Sequence, residues 1–188
     1  MAARSKARKR ALDILFEADL RGVPTLELLS ERQSVGDMPV APYAAELVRG
    51  VATHSERIDA LISWNLVDWT LERMPAVDRN ILRIGVYELL WADGVPDGVA
   101  ISEAVNLAQD LSTDNSASFV NGVLARIKAD KPTLSLDPEA SAFGPDDAGE
   151  EDGSGEEADG DADDEDDADP YADDDEEPAL APEPHSRP

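Results

Sequence analysis

Apolar residues recur with a helical period through roughly the first 130 positions of the chain. Leu12, Leu15, Phe16 and Leu20 stand at i, i+3, i+4 and i+8, which predicts one apolar face of a helix over residues 5–20. Gly22 and Pro24 end it. A short second helix is predicted over 25–32, with Thr25 as N-cap. Gly36, Pro39 and Pro42 mark a loop, and a third helix starting near Pro42 carries Leu47, Val48 and Val51. His54-Ser55 reads as a break, with Ser55 capping a fourth helix whose Ile58, Leu61, Ile62 and Leu66 face inward. Trp69 and Leu71 fall in a connector that ends at Pro75.

Pro75 fits the first turn of a fifth helix that reaches Trp91, and Asp78 suits its N-terminal dipole. Val77, Ile81, Leu82, Ile84, Leu89 and Leu90 make this helix apolar nearly all round, which predicts the central, buried one. Gly94, Pro96 and Gly98 form a turn before a sixth helix over 101–111, with Val105 and Leu107 or Ala108 inward. Ser112 to Asn115 form a loop whose last residues cap a seventh helix carrying Phe119, Val120, Val123, Leu124 and Ile127. Strand alternation is nowhere sustained, so the expected fold class is all-α with about seven helices.

Beyond this region the chain turns to Asp, Glu, Ala, Gly and Pro. The division expected is a helical domain over 1–132 and an acidic, low-complexity tail over 133–188 with too little apolar surface to fold. The split reinterprets the net charge of −26 carried by the 188 residues. Up to Leu136 there are 15 basic and 19 acidic residues, whereas from Asp137 onward there are 23 acidic residues and one Arg. The low pI describes the tail, so it does not exclude nucleic acid as a ligand of the helical domain.

The absence of Cys removes disulfides and thiolate chemistry and fits a reducing cytoplasm. No apolar run suits a membrane span, and Asp13, Glu17 and Asp19 interrupt the stretch a secretion signal would need. Of the two histidines, His185 lies in the tail, and His54 alone at a helix junction is a structural or solvated residue. Asp159, Asp161 and Asp163 match the opening of an EF-hand loop, but Asp164 replaces its glycine and Pro170 its last ligand. Neither an enzyme, a cofactor nor a specific metal site is expected.

Arg4, Lys6, Arg8, Lys9 and Arg10 place five cations within seven residues. On a helix Arg4 and Arg8 stack at i,i+4, as do Lys6 and Arg10, giving a surface for phosphate or simply a solvated end.

Three further segments give this cluster a context: Ala76 to Leu89, AVDRNILRIGVYEL; Val99 to Val105, VAISEAV; and Ser118 to Leu124, SFVNGVL. With the basic opening they resemble the bacterial transcription antitermination factor NusB family, over about residues 4 to 130. The resemblance implies two small packed helical bundles that bind the boxA element of ribosomal RNA transcripts. Binding is shared with NusE, also a small-subunit ribosomal protein, in an RNA polymerase antitermination complex that reads through terminators. It also implies that Arg4, Lys6, Arg8, Arg10 and Phe16 lie near RNA, that Asn115, Ser116 and Phe119 form a second RNA-proximal patch, and that Asp78, Arg79 and Arg83 face NusE. Phe16 stands where the family often has Tyr, and Asn115 where an acidic residue can occur.

Duller readings stay beside these. Phe16 and Phe119 also suit a core, Asn121 and Gly122 close helix packing, Asp78 a helix cap, and Arg83 with Tyr87 a local surface pair. A helical protein-binding module without specific RNA recognition is the alternative function. If about four phosphates are neutralised, affinity should fall roughly 50-fold between 50 and 200 mM salt. Removing Lys6, Arg8 and Arg10 together should abolish boxA binding and leave the fold intact. As a flexible chain the tail spans about 40 Å, enough to compete with RNA for the basic helix.

Overall fold

The computed structural model describes residues 3–35, 39–66 and 69–134, and every regular element among them is helical. The acidic tail with its EF-hand-like aspartates lies beyond residue 134, outside the described residues, as does Gly36 of the second loop.

Helix α1 (Ala3–Arg21) ends in a left-handed turn at Gly22, φ +62°. The amide of Val23 donates to the Ala18 carbonyl and that of Gly22 to Asp19, so two terminal carbonyls are satisfied. Helix α2 (Thr25–Val35) begins with Leu28 N–H donating to the Pro24 carbonyl, so Thr25 is its first residue and not its cap. Pro42 opens α3 (Pro42–Thr53), where its missing N–H removes no helical bond. Helix α4 (Ser55–Trp64) follows directly, with His54 and not Ser55 at the N-cap. A 3-10 turn at Leu71–Arg73 leads to α5 (Ala76–Leu90), then α6 (Asp97–Leu111) and α7 (Ser116–Asp130). Pro75 and Pro96 sit at the N-caps of α5 and α6, so α6 starts four residues before the expected 101. Its extended Pro96, not Gly98, ends the turn. After α7 a 3-10 turn runs over Lys131–Thr133, and Leu134 packs partly on the core, just past the expected domain boundary.

Helices α1 to α3 form one bundle and α4 to α7 another, with α5 packing against both. Only Ala76, Val77, Arg79 and Arg83 of α5 escape full burial. Two glycines allow its neighbours to close in. A Cβ at Gly50 of α3 would stand 2.1 Å from the Tyr87 ring, and one on Gly85 would stand 2.7 Å from a Leu124 methyl of α7. Leu20 departs from the predicted stripe at 76 % exposure. Eight residues advance a helix by about 80° beyond two full turns, which rotates Leu20 away from the face defined by Ala11, Leu15 and Ala18.

Candidate nucleic-acid interface

The basic opening divides into one buried residue, Arg8, and an open remainder. Arg8 is 2 % exposed, and its Nε donates to both carboxylate oxygens of Glu88, at 3.0 and 2.9 Å. Its Nη2 lies 2.9 Å from Glu88 Oε1 and its Nη1 lies 3.1 Å from Glu103 of α6. The Tyr43 hydroxyl donates to the same Glu88 carboxylate. Burial alone would lower the Arg8 pKa, but the hydrogen bond and charge of Glu88, with Tyr43 and Glu103, raise it above its ordinary value. Arg8 is therefore a strut between α1, α5 and α6, which corrects its reading as a surface cation for RNA. Arg4 lies over the Tyr43 ring at 5.2 Å and donates to the Gly94 carbonyl at 3.3 Å, yet stays exposed. Lys6 and Lys9 are exposed and Arg10 is half-exposed, and none of the three is in an ion pair among the described residues. Phe16 is half-buried and stands outside the core cluster, so the structure leaves its ring at the surface edge of α1.

The second patch sits at the far end of α5. Arg8 meets Glu88 and Asp19 meets Asn80, so α1 and α5 run antiparallel. Ser116 meets Asp78 and Leu124 meets Gly85, so α7 runs parallel to α5. The basic opening and the α7 N-terminus thus lie about 15 Å apart along α5, the rise of ten helical residues.

Asn115 is exposed at the N-cap of α7, and its side chain caps nothing. Phe119 packs its inner edge on the core, and Trp69 from the connector meets it at 5.8 Å between ring centroids. Ser116 is buried, and its hydroxyl donates to Asp78 Oδ2 at 2.9 Å while Ser112 and Thr113 contact it from the preceding loop. Its reading as an RNA contact is corrected to a structural one. Asp78 is 5 % exposed and turns inward to this hydroxyl, so its carboxylate offers a partner no surface. An acidic residue at this helical position ordinarily bonds back to the N-cap amide, but Pro75 has none.

Arg79 and Arg83 are largely covered and committed to ion pairs. Asp19 of α1 receives Arg79 at 3.1 Å, Asn80 at 2.9 Å and Arg83 at 3.2 Å. Arg83 also grips Asp59 of α4 through two bonds of 2.8 and 2.7 Å. It does not pair with Tyr87, contrary to the local reading. His54 stacks on Trp91 at 4.4 Å and belongs to the packing between α3 and α5. Among the described residues, no three His, Cys, Asp or Glu side chains could jointly hold a metal ion. No helix of theirs is long and apolar enough to cross a membrane.

Tyr43, Glu88, Glu103, Asp19, Asp59 and Trp69 escaped the sequence reading. Their partners lie tens of residues away, and no local spacing announces them.

Comparison with known proteins agrees with this fold. The NusB family profile matches residues 5–129. A transcription antitermination protein NusB of Acidothermus cellulolyticus is 58 % identical over 138 residues, covering 73 % of this chain and 95 % of that protein. Among solved structures, NusB of T. maritima is 35 % identical with a TM-score of 0.60, covering 69 % of this chain and 92 % of that one. A complex of the antitermination factors NusB and NusE with double-stranded RNA is 32 % identical with a TM-score of 0.59, covering 67 % and 96 %.

Proposed function

The chain belongs to the NusB family, and on that premise we propose that it is a transcription antitermination factor that binds boxA-type RNA of ribosomal RNA transcripts together with the ribosomal protein NusE. In this reading it joins the RNA polymerase antitermination complex and promotes read-through. The observation that carries the RNA half is the open side of α1, where Lys6, Lys9 and Arg10 point away from the ion pairs that hold the fold together. With Arg4 at one side and Phe16 further along the helix, this surface offers phosphate contacts and one aromatic edge.

NusE is assigned to the N-terminal half of α5, where Arg79 and Arg83 with Asp19 form the only charged break in an otherwise buried helix. Asp78 supports that surface from behind. We read the protein as a non-enzymatic, cytoplasmic adaptor that needs no cofactor. Three open cations give modest affinity alone, which is the physical reason for a second protein on the same RNA.

The test is a binding titration of the full chain with boxA RNA, scrambled RNA and duplex DNA, each with and without NusE. Preference for boxA that grows when NusE is added is expected. Equal binding to all three nucleic acids would overturn the reading and leave a protein-binding module.

A further inference from the structure

Helix α7 carries a face whose composition the fold does not require. Asn115, Phe119, Gly122 and Arg126 recur at i, i+4, i+7 and i+11, one stripe along the helix. Asn115 is exposed and caps nothing. Phe119 is only half-buried, and the Trp69 indole that meets it is itself 47 % exposed. Gly122 lies in the helix interior, where glycine weakens a helix relative to alanine. Nothing among the described residues repays that, because a Cβ there would have no atom of theirs within 4 Å. The close-packing reading of Gly122 is therefore wrong, and Asn121 beside it is exposed too. Arg126 is exposed and has no ion pair among the described residues.

We propose that Trp69 and this α7 stripe form a track for single-stranded RNA, extending the RNA surface of the function proposed above, on which it rests. A base stacks on the exposed part of the Trp69 indole, which Phe119 steadies through a tilted ring contact at 51°. The strand's backbone approaches α7 at Gly122, where the missing side chain leaves room. A phosphate meets Arg126. Exposed Glu72 and Asp114 flank the aromatic end, so attraction there comes from stacking and not from net charge. The stripe also accounts for the distance between the two patches. It starts at the Asn115 end and runs parallel to α5, toward the end where Arg8 meets Glu88.

The experiment measures full-chain binding to a fluorescently labelled boxA RNA at 50 and 200 mM salt, with melting temperature as the control for folding. Trp69→Leu keeps an apolar cover on Phe119 but removes the extended π face, and should weaken binding about five- to 100-fold by the same factor at both salts. Trp69→Phe should bind nearly as the natural chain does. Gly122→Ala should melt higher and bind RNA more weakly, a combination that loss of packing cannot produce. If Trp69→Leu and Gly122→Ala bind as tightly as the natural chain while a Lys6→Ala, Lys9→Ala, Arg10→Ala variant does not, the track is overturned and the RNA-binding reading stands. If Trp69→Leu weakens only the pairing with NusE, the surface is a protein dock and the track is equally overturned. A natural chain with no preference for boxA removes both.

Discussion

Arg8 of α1 and Glu88 of α5 face each other inside the protein, 2 % and 1 % exposed, joined through Nε and Nη2 at 2.9 to 3.0 Å. Two buried opposite charges that satisfy one another are tolerated, but one alone is not. Arg8→Ala should therefore lower stability by about 3–5 kcal/mol. Urea denaturation of the full chain measures this. A loss below about 1 kcal/mol, the size of a surface pair, would show that Glu88 is not stranded.

The same relationship changes how the RNA surface must be tested. A variant lacking Lys6, Arg8 and Arg10 would mix the loss of surface charge with a loss of stability. Replacing Lys6, Lys9 and Arg10 by alanine removes three open cations and should leave the melting temperature unchanged. With three phosphates neutralised by them on a single strand, these cations should contribute about −2 to the log-log salt slope of the natural chain. Through that share affinity falls roughly 20-fold between 50 and 200 mM salt, less steeply than the whole cluster's composition suggests. The triple variant should keep only the shallow slope that Arg4 and Arg126 contribute; an unchanged slope would move the phosphate contacts elsewhere.

Ser116 and Asp78 supply a second test of a buried contact. The Ser116 hydroxyl is the hydrogen-bond donor to the Asp78 carboxylate, whose Oδ1 already lacks a partner among the described residues. Ser116→Ala should cost about 1–3 kcal/mol, measured by urea denaturation. A neutral result would mean that Thr113 takes over the bond.

Tyr43 links the basic helix to alkaline stability. Burial pushes its phenol up from the ordinary value of 10.0, and the hydrogen bond and charge of Glu88 push it further, against the opposing pull of Arg8 and Arg4. The folded protein thus holds this proton more tightly than the unfolded chain. Its contribution is fully present below pH 10 and is lost as pH rises beyond that. The urea midpoint should fall between pH 9 and pH 11, and Tyr43→Phe should flatten that decline. Tyr87, whose phenol burial also raises, supplies the remainder. Parallel declines in both proteins would exclude Tyr43 as the source.

Periodicity made most of the architecture legible, because seven apolar faces at helical spacing leave little else for the chain to form. It failed at particular residues for physical reasons. Leu20 keeps the apolar type of its stripe but has rotated past the core by the end of α1. Arg8 has the wrong type for a core, yet its position on α1 between Ala7 and Ala11 places it there, and only Glu88, 80 residues on, makes that possible. Asp78, Arg79 and Arg83 look like a charged surface in sequence, whereas Asp19, Asp59 and Ser116 draw them into the structure. Trp69 gave no signal in a connector, since what matters is its ring contact with Phe119.

The acidic tail gives the last prediction. It carries nearly all of the chain's net negative charge, while Lys6, Lys9 and Arg10 stay open on α1. Ending the chain after Leu136, beyond the Leu134 that packs on the core, should tighten RNA binding at low salt and make no difference at high salt. Equal affinity of the two lengths at low salt would limit the tail to a solubilising role.

Gly50 has a consequence for how the molecule comes apart. By admitting the Tyr87 ring against α3, it makes α5 a spine common to both bundles. Neither half then keeps a complete interior without the other. Slow amide exchange in α1 and in α7 should report one opening event, so the surface for RNA and the surface for NusE rise and melt as a single cooperative unit.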